Sequence, residues 1–242
     1  MPEATSIMDR LSGLYPTISV GVLTADLASL GSELRRLGET GVALAHFDVM
    51  DGVFCPMMTF GPPVVKAGRT SLLKDVHLMI ENPLDKLGAF IDAGADILTI
   101  HVEACRDPHY VLQEMRKLRA PPDRTGGLMR GIALTPGTPV NAIGPLLDEV
   151  ELVVLLAVHP GQSGQTFIPS TQQRMEAVRK MIVDSRRPIL TCIDGGVSRK
   201  NIEEVAHMGA DIIVTGSAVF DGKAVEENAR HMLEVVRSSR RT

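Results

Sequence analysis

Histidine and aspartate occur in this sequence at the ends of short apolar runs, where their side chains could bind a metal ion. In one such segment, the apolar residues 42–45 are followed by His46 and Asp48. Side chains two residues apart on a strand share a face. His46 and Asp48 are therefore predicted to point the same way at the carboxyl end of a buried strand. The alternative is a hydrogen-bonded core histidine, followed by an aspartate that caps the next element.

His77 and Asp194 supply two further groups of the same kind, and each lies within or at the end of another apolar run. Two imidazoles and two carboxylates form a mixed nitrogen and oxygen donor set, which suits Zn²⁺, Fe²⁺, Mn²⁺ or Co²⁺. Buried ionisable groups are costly unless they are paired or coordinated, so four of them are hard to explain as packing. His77 taken alone is better explained as a structural histidine, and the metal hypothesis depends on the whole set.

Glycine-containing loops after three other apolar runs indicate a phosphate site. Their residues are Gly161, Gln162, Ser163 and Gly164, then Gly195 and Gly196, then Gly216 and Ser217. Glycine lets backbone N–H groups approach an anion closely, and helix amino termini favour negative charge. The alternative is that these glycines only form tight turns.

The elements that must position these groups alternate regularly along the chain. The predicted strands are 15–22, 42–48, 75–79, 95–101, 130–134, 152–158, 188–194 and 212–215. The predicted helices are 27–40, 62–69, 83–93, 108–119, 139–147, 172–183, 199–208 and 224–237. Short, uniformly apolar runs are typical of parallel strands that are covered on both faces.

Eight such strand–helix units predict an α/β fold, a single (β/α)8 TIM barrel. The barrel is predicted over residues 15–242, after an amino-terminal extension over residues 1–14. Active sites of this fold lie at the carboxyl ends of the strands, and the loops after strands seven and eight commonly bind phosphate. The candidate groups fall at these positions. No function is assigned to the extension or to the turn-rich loop 121–127.

Composition excludes several classes of partner. The net charge of −4, without a basic run, argues against nucleic acid. The chain has 3% aromatic residues and no tryptophan, which argues against stacking on bases. No uncharged run has the length of a membrane span, and residues 1–6 lack the apolar core of a signal peptide. Cys55, Cys105 and Cys192 are far apart in the sequence, which predicts a reduced, cytoplasmic protein.

Taken together, the motifs resemble those of the ribulose-phosphate 3-epimerases from about Tyr15 to Phe220. The similar segments are 46–52, 75–79, 101–104, 160–165, 193–197 and 216–218. The resemblance implies that one divalent metal ion is bound by His46, Asp48, His77 and Asp194. It also implies a homo-oligomer, and phosphate binding by Gly196, Gly216 and Ser217 with help from the loop 161–164.

The same resemblance implies a metal-dependent epimerase that inverts C3 of a ketose phosphate, in the first instance D-ribulose 5-phosphate to D-xylulose 5-phosphate. Inversion next to a ketone requires a base on one face and an acid on the other. The resemblance assigns these roles to Asp48 and Asp194. Met50 and Met79 are predicted to line the surroundings of the ion, and an ordinary core role would explain them equally well.

Four positions depart from the pattern that is usual in this family. Val20-Gly21 stands in place of Pro-Ser, so Gly21 lacks a hydroxyl that contacts substrate in the family. Leu156 replaces a methionine, Met57 replaces an asparagine, and the loop 161–164 replaces Gly-Phe-Gly-Gly. The metal and acid–base residues are retained, whereas the residues that face the sugar differ. Another ketose phosphate therefore stays open as substrate, such as allulose 6-phosphate or a tetrulose phosphate.

Two other functions are compatible with such a barrel. A Schiff-base aldolase requires a lysine inside the barrel near a strand end, whereas the lysines here fall in predicted helices, in loops or at the start of a strand. A non-catalytic phosphosugar-binding barrel would have no use for two facing carboxylates. Both are less consistent with the residues than an epimerase.

Overall fold

The computed structural model describes residues 6–118, 126–162 and 164–239. Eight parallel strands form a closed barrel in the order β1 to β8, and β8 pairs with β1. The strands are β1 (Thr17–Gly21), β2 (Leu44–Met50), β3 (Leu73–Met79), β4 (Ile97–His101), β5 (Met129–Leu134), β6 (Leu152–Leu156), β7 (Leu190–Asp194) and β8 (Ile212–Thr215). The predicted single (β/α)8 TIM barrel is confirmed.

Helices alternate with these strands. They are α1 (Ile7–Leu11), α2 (Leu30–Gly38), α3 (Pro62–Ala67), α4 (Leu87–Asp92), α5 (Pro108–Lys117), α6 (Thr171–Ser185), α7 (Ile202–His207) and α8 (Val225–Ser238). The segment between β5 and β6, predicted as a helix over 139–147, is a 3₁₀ helix over Val140–Glu149. Pro145 lies inside this segment and has no N–H to donate, which disfavours a regular α-helix there.

Strand side chains alternate between two apolar layers. The outward layer packs against the helices and includes Phe47, Leu78 and Ile193. The inward layer is a smaller cluster formed largely by residues at the strand starts, such as Leu44 and Leu73. Because the strands are covered on both faces, apolar residues occur on both faces of each strand, although charged residues such as Lys74 and Asp75 are buried among them.

The amino-terminal end of the barrel is closed by α1, which lies within the predicted extension 1–14. Ile7 and Leu11 are buried and belong to the inward cluster. The backbone N–H of Ile7 donates to the carbonyl oxygen of Gly126, at a distance of 3.3 Å. Residues 121–125 of the predicted loop lie outside the described residues.

Within the described ranges, no helix combines the length and the hydropathy that crossing a membrane requires.

Toward the carboxyl ends of the strands, polar side chains replace apolar ones on the inner face of the barrel. On β2, His46 and Asp48 follow Leu44 at the two-residue spacing that keeps side chains on one face. The register pairs His46 with Asp75 and Asp48 with His77 on the neighbouring β3. The strand ladder therefore holds these four side chains side by side inside the barrel.

Candidate active site

The four predicted metal ligands come together at the carboxyl end of the barrel. One nitrogen or oxygen atom of each of His46, Asp48, His77 and Asp194 lies within 4.8 Å of those of the other three. Nε2 of His46 lies 3.2 Å from Oδ1 of Asp48 and 3.6 Å from Oδ2 of Asp194. Nδ1 of His77 lies 3.1 Å from Oδ2 of Asp194 and 3.7 Å from Oδ1 of Asp48.

These separations fit the first coordination shell of one divalent ion. Ligand atoms about 2.1 Å from an ion in a tetrahedral arrangement lie about 3.4 Å from one another. In addition, Nδ1 of His77 is buried and, although Oδ2 of Asp194 lies 3.1 Å away, it makes no hydrogen bond of good geometry among the described residues. Buried polar atoms are rarely left without a partner, and coordination to a metal ion would satisfy this nitrogen. The donor set is compatible with zinc, iron, manganese and cobalt.

Each imidazole also has a partner on the side that faces away from the cluster. Nδ1 of His46 lies 2.7 Å from Oδ2 of Asp75, and the same oxygen accepts a hydrogen bond from the Ser19 hydroxyl at 2.8 Å. Nε2 of His77 lies 2.9 Å from Nε2 of His101. These contacts turn Nε2 of His46 and Nδ1 of His77 toward the carboxylates.

Opposite charges dominate the protonation of the cluster. Burial lowers the pKa of both imidazoles, but the neighbouring carboxylates outweigh it, so the pKa of His77 is raised and that of His46 is raised well above its usual value. Burial raises the pKa of Asp48 and Asp194, but the imidazoles outweigh it, and the pKa of Asp194 lies well below its usual range. Without a bound ion or substrate, the carboxylates are therefore ionised, and a divalent ion would bind in competition with protons on the imidazoles.

A cavity of about 720 Å³ opens at this end of the barrel, and Asp48 and Asp194 form part of its wall. The predicted pocket and phosphate residues that line it are Gly21, Met50, Met79, Leu156, Gly161, Gln162, Gly164, Gly195, Gly196, Gly216 and Ser217. Ser163 lies outside the described residues. The structure thus gathers both predicted groups, the acidic cluster and the glycine loops, around one cavity.

Glycine is required by the shape of the loops on the phosphate side. Gly161, Gly164, Gly195 and Gly196 have φ values of +99°, +78°, +101° and +69°, a region that other residues rarely adopt. A Cβ added at Gly196 would lie 2.9 Å from the backbone of Phe167. These conformations and close contacts explain why glycine occurs there, and all four glycines line the cavity.

The residues behind the metal ligands carry no predicted role in the sequence. Asp75 and His101 contact the two imidazoles directly, and Glu103 contacts His101. His101 and Glu103 repeat on β4 the spacing of His46 and Asp48 on β2, and this repetition is the signal that could have indicated them.

The closed barrel and the cluster of two imidazoles and two carboxylates define a (β/α)8-barrel enzyme with a candidate metal centre. Residues 17–220 match the sequence model of the Ribulose-phosphate 3 epimerase family. The chain belongs to this family and is thereby an isomerase of the epimerase class.

Relatives in several organisms are similar over most of their length. The Ribulose-phosphate 3-epimerase of Rhodobacter capsulatus is 41% identical over 211 residues, which cover 86% of this chain and 87% of the relative. That of Bacillus subtilis (strain 168) is 39% identical over 206 residues, covering 84% and 91%. The chloroplastic Ribulose-5-phosphate-3-epimerase of Arabidopsis thaliana is 38% identical over 229 residues, covering 93% and 79%. The resemblance found in the sequence motifs is confirmed.

Solved structures share the fold at much lower identity. The 3-hexulose-6-phosphate synthase from Salmonella typhimurium superimposes with a TM-score of 0.66 at 16% identity, covering 92% of this chain and 99% of that chain. Orotidine 5'-phosphate decarboxylase from Pyrococcus horikoshii superimposes with a TM-score of 0.64 at 12% identity, covering 91% and 99%. At this level of identity the similarity concerns the barrel and not the reaction.

Proposed function

We propose that this protein inverts C3 of a ketose phosphate and interconverts D-ribulose 5-phosphate and D-xylulose 5-phosphate. The observation that carries the proposal is the pair Asp48 and Asp194, which line one cavity and contact the same two imidazoles. A mere binding site has no need of two such carboxylates. Family membership supports the substrate class, since the relatives are named for ribulose phosphate.

His46, Asp48, His77 and Asp194 would hold one divalent ion. An ion bound there would polarise the ketone oxygen and make the neighbouring C–H group more acidic. The two imidazoles supply neutral nitrogen donors, and the two carboxylates balance the charge of a divalent cation. This composition supports binding of a doubly charged ion over a singly charged one.

Proton transfer would be carried out by the two aspartates. Asp48 is on β2 and Asp194 is on β7, three positions apart around the ring of eight strands, one short of diametrically opposite. A ketose bound between them would present one face of C3 to each carboxyl group. One carboxyl group, ionised at the start, would remove the C3 proton, and the other, protonated at the start, would give its proton to the opposite face, so that the two exchange protonation states in each turnover. A positioned acid or base contributes about 10²–10⁴-fold to a rate.

The glycine loops after β6, β7 and β8 would bind the phosphate through backbone N–H groups, principally at Gly196, Gly216 and Ser217. In support, Gly196, Gly216 and Ser217 all line the cavity that Asp48 and Asp194 border. Met50 and Met79 are buried in a small cluster with Cys55. They would form an apolar wall that limits the access of water to the reacting carbon.

Gly21 favours one alternative substrate class over the other. A Cβ added at Gly21 would have its nearest contact at 3.5 Å, with the Cα of Gly216, so glycine leaves about the volume of one methyl group free there. This free volume would suit a longer ketose such as allulose 6-phosphate better than a tetrulose phosphate.

Deuterium exchange tests the proposal directly. The metal-loaded protein is incubated in heavy water with ribulose 5-phosphate, allulose 6-phosphate and a tetrulose phosphate, and deuterium at C3 is measured by NMR. We expect the fastest incorporation with ribulose 5-phosphate. The matched control is Asp92→Asn, which removes an exposed carboxylate and should leave the rate unchanged. Binding of all three sugars without exchange would support a non-catalytic phosphosugar-binding barrel instead.

A homo-oligomer and a cytoplasmic location stay predictions from the sequence. Light scattering of the purified protein tests the first, and cell fractionation tests the second.

A further inference from the structure

We propose that His101 and Glu103 are positioning residues that fix the tautomer of His77, so that its Nδ1 lone pair is available to a divalent metal ion. The inference deepens the proposed function, because it rests on the metal centre of that site. It concerns a relay of three side chains, His77, His101 and Glu103, which starts at the cluster and ends outside it.

The contact between the two imidazoles is a hydrogen bond that holds a single proton. Nε2 of His77 and Nε2 of His101 are 2.9 Å apart, the ring centroids are 4.9 Å apart and the ring planes differ by 16°. The two rings are thus nearly parallel, and their Nε2 atoms lie closer together than the ring centres, so each ring turns its Nε2 toward the other. Both side chains are fully buried. Two N–H groups, or two lone pairs, would repel at this distance, so one nitrogen donates and the other accepts.

Glu103 determines which nitrogen donates. Its Oε2 lies 3.1 Å from Nδ1 of His101. Its Oε1 accepts hydrogen bonds from the Thr135 backbone N–H, at 2.8 Å, and from the Thr138 hydroxyl. Burial raises the pKa of Glu103, but these hydrogen bonds outweigh it and lower the pKa to about 2. An ionised carboxylate can only accept, so Nδ1 of His101 must carry a hydrogen.

The protonation of His77 follows from that of its neighbour. With a hydrogen on Nδ1, neutral His101 has its lone pair on Nε2 and accepts from Nε2–H of His77. Neutral His77 then has its lone pair on Nδ1, the buried nitrogen that has no hydrogen-bond partner among the described residues and faces Asp194. The opposite tautomer of His77 would place a hydrogen where the ion must bind.

The two imidazole ligands are thus supported in different ways. Nδ1 of His46 contacts the carboxylate of Asp75 directly, at 2.7 Å. Nε2 of His77 reaches the carboxylate of Glu103 only through His101. Outer partners of metal-binding histidines fix the tautomer and the ring orientation, and their loss typically costs about 10–100-fold in metal affinity. We expect a loss of this size when the relay is broken.

Three substitutions separate the relay from simple packing, with Zn²⁺ affinity measured by competition with a chelator. His101→Phe keeps a ring but removes the acceptor, and Glu103→Gln removes the negative charge at nearly constant shape. Both should bind Zn²⁺ about 10–100-fold more weakly than the wild type. His101→Gln can offer an amide oxygen to His77 and should recover most of the affinity. Glu81→Gln, the same change at an exposed glutamate, is the matched control.

A spectroscopic measurement tests the proton positions themselves. In the zinc-loaded wild type with ¹⁵N-labelled histidine, long-range ¹H–¹⁵N spectra should show His101 protonated at Nδ1 and unprotonated at Nε2. A hydrogen on Nε2 of His101 would overturn the inference. Thermal unfolding of the metal-free variants identifies any variant that has not folded, and the tautomer of the wild type does not depend on the variants.

The failure of this inference is distinguishable from the failure of the proposed function. If the wild type binds Zn²⁺ and epimerises ribulose 5-phosphate while folded His101→Phe and Glu103→Gln bind Zn²⁺ as tightly as the wild type, only the relay is wrong. If the wild type binds Zn²⁺ and the variants lose affinity but no ketose phosphate is epimerised, the relay stands and the proposed reaction is wrong. If the wild type binds no divalent ion, both are wrong.

Discussion

The candidate site has two halves, which we call the metal half and the phosphate half after the ligands proposed for them, and they are built from different parts of the chain. The metal half consists of side chains on strands, namely His46, Asp48, His77 and Asp194. The phosphate half consists mainly of loop backbone, around glycines such as Gly196 with φ of +69°. Strand side chains are held by the ladder, whereas loop backbone is held by a few local contacts.

The difference has a consequence for how the site can change. Asp48 and His77 are register partners, so a one-residue slip between β2 and β3 would turn side chains of a whole strand to the other face. The loops after β6, β7 and β8 lie outside the strand ladder, so a change there leaves the strand register in place, although positive-φ glycines such as Gly196 limit which residues fit. Under the proposed function, the acid–base and metal residues are therefore fixed by strand register, whereas the phosphate-binding residues depend on the conformation of the loops.

The largest effect should come from the acid–base pair in the metal half. Asp48→Asn or Asp194→Asn removes a proton-transfer group and a metal ligand together, and kcat/KM for ribulose 5-phosphate should fall by about 10⁴-fold. Steady-state kinetics measure this, with Asp92→Asn as the control. Activity within tenfold of the wild type in either variant would show that the carboxylate is not the acid or base.

A change in the phosphate half should affect substrate binding and leave the metal affinity alone. Gly196→Ala adds a Cβ in a left-handed conformation, 2.9 Å from the backbone of Phe167, so the loop must shift. We expect KM for ribulose 5-phosphate to rise by about 10–100-fold, since charge-assisted hydrogen bonds contribute about 1.5–3 kcal/mol each. Zn²⁺ affinity should stay within about twofold. A parallel loss of both would contradict the division into halves.

Of the two halves, we expect only the metal half to contribute to the pH dependence of the free energy of unfolding. The raised pKa of His46 stabilises the metal-free fold fully below its unfolded pKa of about 6.5, and this stabilisation is lost as the pH rises through the higher folded value. The free energy of unfolding of the metal-free protein should therefore decrease with rising pH in this window. The decrease should be about 1.4 kcal/mol for each unit by which the pKa is raised.

Urea unfolding at a series of pH values measures this decrease. His46→Asn should reduce it, whereas Gly196→Ala should retain it, because no titratable side chain is changed in the phosphate half. A pH profile of the His46→Asn variant identical to that of the wild type would contradict the charge assignment.

The smallest effect on activity should come from a change at Gly21, which lines the cavity where the sugar would bind. Gly21→Ser restores a hydroxyl at a position where a Cβ is accommodated, with its nearest contact at 3.5 Å. One hydrogen bond contributes about 0.5–1.5 kcal/mol, so the preference for ribulose 5-phosphate over allulose 6-phosphate should change by about 3–10-fold. Gly21→Ala is the matched control, because it adds the Cβ without the hydroxyl. Equal effects of the two variants would show that volume and not the hydroxyl matters.

The fold could be predicted because each buried strand carries its own signal. A run such as β6, Leu152–Leu156, is apolar at every position because helices cover one face and the barrel interior covers the other. The 3₁₀ helix Val140–Glu149 could not be predicted from its apolar spacing alone. Its backbone form depends on how Pro145 is accommodated between β5 and β6.

The residues of the cluster could be predicted because alternation on one strand sets the direction of His46 and Asp48. The relay of His77, His101 and Glu103 could not be predicted from the sequence, because its geometry depends on the register between strands. His77 is paired with Thr99 on β4, so His101 lies two residues closer to the carboxyl end of the barrel, on the same face of the strand. One strand read alone does not show that the two imidazoles meet.

The most direct test of the metal half is a crystal structure of the zinc-loaded protein with anomalous diffraction data at the zinc edge. The expected result is one strong peak about 2.0–2.2 Å from Nε2 of His46, Nδ1 of His77 and an oxygen of each of Asp48 and Asp194. A peak elsewhere in the barrel, coordination through Nε2 of His77, or no peak in a protein that still epimerises ribulose 5-phosphate would contradict the account.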